Sequence, residues 1–442
     1  MSSPGRDPAP GVSAALADAP TTMAPPVERN GTFAALAIRD FRLLLIGTTL
    51  SNAAQWIQQV TLGWLVYEWT GSGTALGTIN LVRSGPALLL APLAGIAIDR
   101  IDRRPLMVAT QGFLFVISLG LGVALAIGFA DVRLLFLFAL LGGAAQTVDL
   151  PLRQTATFDL VPRSQAPNAV ALVQTGWSLM RSLGPALGGA LILWFGPSGN
   201  FFIQASAYGL IALAALAIRF PPRRVLPGAR AGVWRNMADG FRFIAGNRVT
   251  RTFVMMGWVL PLVIIPIFSA LPPIYAKDVF GGGPETLGIL MSAVGVGGIV
   301  GGFITASLGR LERRGVIQLV ALAGTSVSLG AFALSPDLLT ALPLLALSGA
   351  FEMVYLTTNQ TLLQLSIPDE MRGRVTSIVS LSMVLAPVGA IFAGTGSDLV
   401  GPRAITAVLS VIGLVIAVAV FIGSSTVREY RLSQGMAPAR HC

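Results

Sequence analysis

Residues 74–104 read TALGTINLVRSGPALLLAPLAGIAIDRIDRR. Residues 74–98 are apolar or small, with Arg83 as the only charge. Crossing a bilayer takes roughly 20 such residues as a helix. The run stops on Asp99-Arg100-Ile101-Asp102-Arg103-Arg104, a charged loop that belongs in water. Working outward, the same alternation of apolar run and polar break recurs along the chain. About twelve runs appear: 43–67, 74–98, 105–128, 133–155, 167–194, 200–219, 252–276, 286–308, 316–334, 338–361, 373–396 and 403–423. The fold class expected is an all-α membrane protein with twelve transmembrane helices in two pseudo-symmetric six-helix bundles.

Composition agrees with this reading. Of 442 residues, 54% are hydrophobic and 11% charged, so a soluble fold would expose too much apolar surface. The net charge of +10 does not point to nucleic acid. Two of the basic residues, Arg83 and Arg181, fall inside apolar runs, and Arg133, Lys277 and Arg403 lie in one set of loops. The rest lie in the tails and the alternate loops, which places both termini in the cytoplasm by the positive-inside rule. Cys442 and His441 are the only residues of their kinds, so neither an internal disulfide nor a Cys/His metal site is expected. No metal and no cofactor is called for.

The domain plan follows. Residues 1–34 form a cytoplasmic tail, rich in Pro, Ala and Ser and expected to be disordered. Residues 35–219 form the first bundle and 252–424 the second, and 425–442 form a cytoplasmic tail. Between the bundles, residues 220–251 carry Trp234, Met237, Phe241 and Ile244 at helical spacing. They read as an amphipathic helix on the membrane surface or as a plain linker helix. The bundles share marks. Asp99-Arg100-Ile101-Asp102-Arg103-Arg104 is echoed by Gly309-Arg310-Leu311-Glu312-Arg313-Arg314. Gln154-Thr155 with Val161-Pro162 is echoed by Gln360-Thr361 with Ile367-Pro368 at the same internal spacing. Such duplication is typical of transporters with a midplane site between repeats.

Gly95-x3-Asp99-Arg100-x-Asp102-Arg103-Arg104 resembles the loop 2–3 signature of the major facilitator superfamily, with Asp102 where that signature has Gly. This variant is similar to the branch of enterobactin exporters and macrolide-type efflux proteins. Trp64-Leu65-Val66-Tyr67, Leu160-Val161-Pro162, Gly184-Pro185-x2-Gly188-Gly189 and Ile367-Pro368-Asp369-Glu370-Met371-Arg372-Gly373-Arg374-Val375 carry the same resemblance, over roughly residues 35–425. It implies a secondary transporter. The Gly-Pro-x2-Gly-Gly element on the fifth run resembles one associated with exporters. It also reads as plain close packing, with Gly184, Gly188 and Gly189 admitting a neighbour and Pro185 loosening the helix.

Ionisable groups inside apolar runs mark function, because each costs on the order of 3 kcal/mol to insert at a helix centre. Glu352 is the expected proton carrier, since burial disfavours a charged carboxylate. The alternative is a structural salt bridge to Arg83 or Arg181. Asp149, the second proton-coupling candidate, sits near a wet helix end, and the resemblance implies a gating pair with Arg103. The resemblance likewise implies that Asp99 meets the end of the eleventh helix and that Arg100, Arg103 and Arg104 belong to a gate. Gly95, Arg310, Arg313 and Arg314 complete that set across the two loops. The expected cavity face carries Asn52, Gln55 and Gln59 on the first run, with Arg83, Gln174, Trp177, Arg181, Tyr355 and Asn359 on others. Trp56 and Trp258 are expected nearby, whereas Trp64, Tyr67 and Trp69 read as interfacial anchors.

These residues suit a small amphipathic organic substrate such as a drug, siderophore or metabolite. The expected activity is proton-coupled export by a monomer in the bacterial inner membrane. A lipid flippase, or a facilitator or importer of the same fold, is the competing reading. No Walker P-loop is present, and no histidine lies in the apolar runs, which argues against ATP as energy source and against a membrane enzyme.

Overall fold

The computed structural model describes residues 33–221, 233–308, 312–381 and 385–428. The expected disordered tails fall largely outside these, as does Arg310. Helices dominate: α1 (Arg39–Thr70), α2 (Gly73–Arg100), α3 (Arg103–Ala126), α4 (Val132–Asp159), α5 (Ala166–Ala217), α6 (Val233–Gly246) and α7 (Arg248–Val259). They continue as α8 (Pro284–Ser307), α9 (Arg314–Ala333), α10 (Leu338–Leu365), α11 (Asp369–Leu381), α12 (Leu385–Val400) and α13 (Pro402–Gly423). Among the described residues, nine helical segments are long and apolar enough to cross a membrane.

Three expected runs differ in detail. The runs at 167–194 and 200–219 lie on α5, which breaks at Gly196 with φ 69° and ψ 174°. Asn200 Nδ2 donates to the Gly188 carbonyl at 2.9 Å. Twelve residues of straight helix would separate these by about 18 Å, so the chain doubles back there. The run at 252–276 is not one regular helix. After α7 it passes through wide turns at Leu260–Ile264 and Tyr275–Val279. Pro261, Pro266, Pro272 and Pro273 each lack the N–H that an α-helix needs, which accounts for the irregular winding.

The duplication read from the loops is also present in the caps. Asp131 accepts from the Leu134 amide at 2.9 Å and starts α4, and Asp337 accepts from the Thr340 amide at 2.8 Å and starts α10. The Thr340 amide and hydroxyl hold the exposed Asp337 carboxyl below its ordinary pKa. Inside each half, a glutamine at a corresponding place ties neighbouring helices. Gln111 donates to Asp149 at 2.6 Å between α3 and α4, and Gln318 donates to Asn359 at 2.6 Å between α9 and α10.

The linker helix α6 lies against α11. Asp239 approaches Arg374 at 3.5 Å, and a side chain at Gly240 would meet Ile378 and the Arg374 carbonyl. Ile244 is buried, whereas Phe241 is 50% exposed. The side chains of Trp234 and Met237 lie outside the described set. The helix is therefore bound to the second half on one side and leaves Phe241 free to meet a membrane surface.

Close approaches between the halves concentrate at one face, the face where α1 ends and α2 begins. A Cβ at Gly77 would fall 2.4 Å from Ile391 Cα, and one at Gly189 would fall 2.4 Å from the Pro284 carbonyl. Glycine is required there because two backbones touch. At the other end of α2, a Cβ at Gly95 would meet nothing within 4 Å. The contacts at Gly77 and Gly189 close the first of these faces.

Candidate functional site: a cavity bridged by an ion pair

A cavity of about 260 Å³ lies between the halves. Trp56 and Gln59 of α1, Trp177 and Arg181 of α5, Tyr275, and Glu352 of α10 line it, among mainly apolar neighbours. Arg181 Nη2 donates to Glu352 Oε2 at 2.8 Å, joining the first half to the second across the cavity. The guanidinium carbon stands 5.6 Å from the Trp177 ring centroid, within cation–π range. The Glu352 and Arg181 side chains are 6% and 16% exposed, so the pair is desolvated but reachable from the cavity.

Several expected cavity residues are elsewhere. Asn52 is buried off the cavity wall, and Gln55 has a buried amide nitrogen with no acceptor among the described residues. Arg83 reaches Gln59 Oε1 at 3.4 Å, one step behind the wall. Gln174 is exposed and does not line the cavity. Tyr355 is buried and donates to the Met256 carbonyl at 2.5 Å, pinning α10 to α7. Asn359 is engaged with Gln318. Trp258 is likewise off the wall, with its indole N–H buried and without an acceptor among the described residues. Helical periodicity put these residues on plausible faces, but inter-helix packing chose which face met the cavity.

The gate set is also rearranged. Arg103 pairs with Asp159 at 2.8 Å and donates to the Ile98 carbonyl, so the expected partner Asp149 is not its partner. Asp149 is fully buried and pairs with Arg153 at 2.9 Å; the expected wet helix end is a buried core. Arg153 also reaches the Thr48 carbonyl at 3.3 Å. Arg104 donates to the Leu216 carbonyl. Asp99, Arg100 and Arg313 are exposed, and Arg314 is buried at the start of α9. Helix α2 meets α12 at its opposite end, away from Asp99. On α5, Gly184 lies against Trp56, Pro185 is buried beside Gly288, and Gly188 meets Ile57.

That opposite end holds a cluster the sequence did not reveal. Asp398, near the end of α12, accepts from the Gly73 amide at 2.6 Å, the Thr74 amide at 2.8 Å, the Thr74 hydroxyl at 2.7 Å and the Ser72 hydroxyl at 3.0 Å. These groups form the N-terminus of α2, where amides have no helical partner and the helix dipole favours an anion. Beside it, Tyr67 donates to Asp278, and Lys277 Nζ stands 5.9 Å from the Tyr67 ring centroid. Trp64 and Tyr67 are buried, so the anchor reading fails for both; Trp69, 39% exposed, keeps it. Ser72 Oγ caps α2, accepting from the Ala75 amide at 3.2 Å, and the same hydroxyl donates to a carboxylate 326 residues away.

Two helical halves around a cavity, joined by a buried ion pair, define a polytopic membrane transporter of major facilitator fold. The family model described as transmembrane secretion effector matches residues 30–440, and the chain belongs to that family. It is 27% identical over 394 residues to the multidrug efflux pump Tap of Mycolicibacterium fortuitum, covering 86% of this chain and 95% of that protein. It is 25% identical to the staphyloferrin A transporter of Staphylococcus aureus, covering 78% and 86% of the two chains, and 23% identical to the enterobactin exporter EntS of Salmonella typhi, covering 85% and 90%. Among solved structures it is similar in fold to a bacterial homologue of the lysosomal transporter Spinster, with TM-score 0.69, 17% identity and coverage of 89% and 98%. The D-xylose-proton symporter gives TM-score 0.67 at 15% identity, covering 87% and 96%. The protein is a transporter of a small molecule and not an enzyme.

Proposed function

We propose that this protein exports a small amphipathic organic molecule across the bacterial cytoplasmic membrane in exchange for protons, by alternating access. The Arg181–Glu352 pair carries the reading. It is an ion pair between the halves at 2.8 Å in the cavity wall. Protonating Glu352 removes one partner, and a substrate in the cavity reaches both. A buried carboxylate that changes partner and proton together is what coupling requires. The basic loops put both termini in the cytoplasm, so the closed face with Asp398 and Asp278 is the outer one and the cavity faces inward. The multidrug pump and the siderophore exporter among the relatives support an outward direction and an organic substrate.

The test is transport into proteoliposomes under an imposed pH gradient. Glu352→Gln keeps shape and hydrogen bonding but fixes the charge at zero. It is expected to abolish uphill movement while leaving downhill exchange measurable. Uphill movement at the wild-type rate would remove Glu352 from the coupling path.

A further inference from the structure

We infer that the substrate is an amphipathic organic cation, and that Arg181 is a tethered competitor for the place this cation takes on Trp177 and Glu352. The inference rests on the proton-exchange reading above for its sign and on the geometry for its site.

The two groups that hold the Arg181 guanidinium are an indole face at 5.6 Å and a carboxylate oxygen at 2.8 Å. Neither is specific to arginine. A π face beside a carboxylate is a general recognition site for an organic ammonium or amidinium group. Among the described residues, only Nη2 of Arg181 bonds Glu352, through Oε2, and Oε1 makes no hydrogen bond. The rest of the wall favours the same class. Trp56, Phe268, Tyr275 and Phe332 add π faces, which attract cations and repel anions.

The sign of the linkage decides between cation and anion. With Glu352 ionised, the pair is neutral. With Glu352 protonated, Arg181 is left as uncompensated positive charge. Protonation therefore strengthens the site for an anion and weakens it for a cation, and by reciprocity each ligand changes proton affinity the same way. Exchange requires proton and substrate to exclude one another, and only a cation does so here. Among the described residues, no other charged side chain lines the cavity, and Tyr275 is its only other titratable group. The helices packed on α10 carry their ionisable residues toward their ends: Glu285 on α8, Arg314 on α9, and Arg248 and Arg251 on α7.

The experiment uses the full-length protein in lipid nanodiscs and two probes of matched shape, tetraphenylphosphonium and tetraphenylborate. Equilibrium dialysis measures binding above empty nanodiscs. The cation is expected to bind the wild type, and to bind more weakly as the buffer is made acid. Arg181→Gln is expected to tighten cation binding roughly fivefold or more, the lower end of site–site couplings. Glu352→Gln is expected to weaken it on the order of tenfold and to erase its pH dependence. Three results overturn the inference: no cation binding above the blank, weaker cation binding in Arg181→Gln, or tetraphenylborate binding that strengthens on acidification. Should Arg181→Gln fail to fold, the wild-type pH series with both probes decides alone. An anion-selective site with proton-driven transport still lost in Glu352→Gln would sink the cation assignment and leave the coupling reading standing. Uphill transport retained in Glu352→Gln would sink the coupling reading instead.

Discussion

Replacing Asp398 by alanine removes the carboxylate that ties the end of α12 to the start of α2. Four donors converge on that carboxylate, at 2.6, 2.7, 2.8 and 3.0 Å. Hydrogen bonds to a charged group are worth about 1.5–3 kcal/mol each in general, and a charge at a helix N-terminus about 0.3–1 kcal/mol more. The sum cannot be taken at face value. Asp398 is exposed, and the freed amides regain water. A net loss of about 2–3 kcal/mol from the closed face is the reasonable expectation. With tenfold per 1.4 kcal/mol, the ratio of closed to open outer face should fall roughly 30- to 150-fold. Double electron–electron resonance reads this directly. Cys442, the only cysteine, is changed to serine, and spin labels are placed at Glu68 and Leu339 for the outer face and at Ser164 and Ser307 for the inner one. In Asp398→Ala the outer distance should lengthen and the inner one shorten, with Asp398→Asn intermediate. If both distance distributions matched the wild type in folded protein, the carboxylate would not hold the outer face, and the latch would have to reside in the Tyr67–Asp278 pair or in backbone packing.

Gly77→Ala pushes a methyl to 2.4 Å from Ile391 Cα and should cost the closed face about 1–3 kcal/mol; the same labels should show it widened, and an unchanged distance would contradict the tight α2–α12 contact. Arg153→Ala leaves Asp149 as an unpaired buried charge, which should destabilise the fold by about 3–5 kcal/mol, visible as a lowered unfolding midpoint in detergent. The double replacement Asp149→Leu with Arg153→Met should recover most of that loss, and a double variant as unstable as the single one would refute the ion-pair account. Reporter tags at residue 235 and at either terminus should read as cytoplasmic and one at residue 282 as periplasmic; a terminus found outside would reverse the orientation and the export direction.

Glu352 and Arg181 stood out because a charge in an apolar run is costly wherever it sits, so cost alone flagged them. Their pairing was one of two alternatives, and sequence gave no reason to prefer Arg181 over Arg83. Asp149 shows the opposite failure. Its place near a helix end suggested water, but α1 and α3 close over it through Thr48 and Gln111. Tyr67 failed for a related reason, since an aromatic near a run's end is more often an anchor than a hydrogen-bond donor to a residue 211 positions away.

Local residue chemistry was enough to set the solvent, the class of element and the repeat. Lipid offers no hydrogen bonds to a backbone, so runs of about 20 apolar residues can only be helices, and short polar loops force neighbours to alternate in direction. The echoed loops and the Asp131 and Asp337 caps belong to the same short-range information. Tertiary structure alone decided which face of each helix looks into the cavity, which buried charges meet, and which end of the bundle is shut. Those outcomes depend on the rotation and tilt of helices against partners hundreds of residues away. They are set where two backbones touch at Gly77 and Ile391, and where Asp398 finds the bare amides of α2.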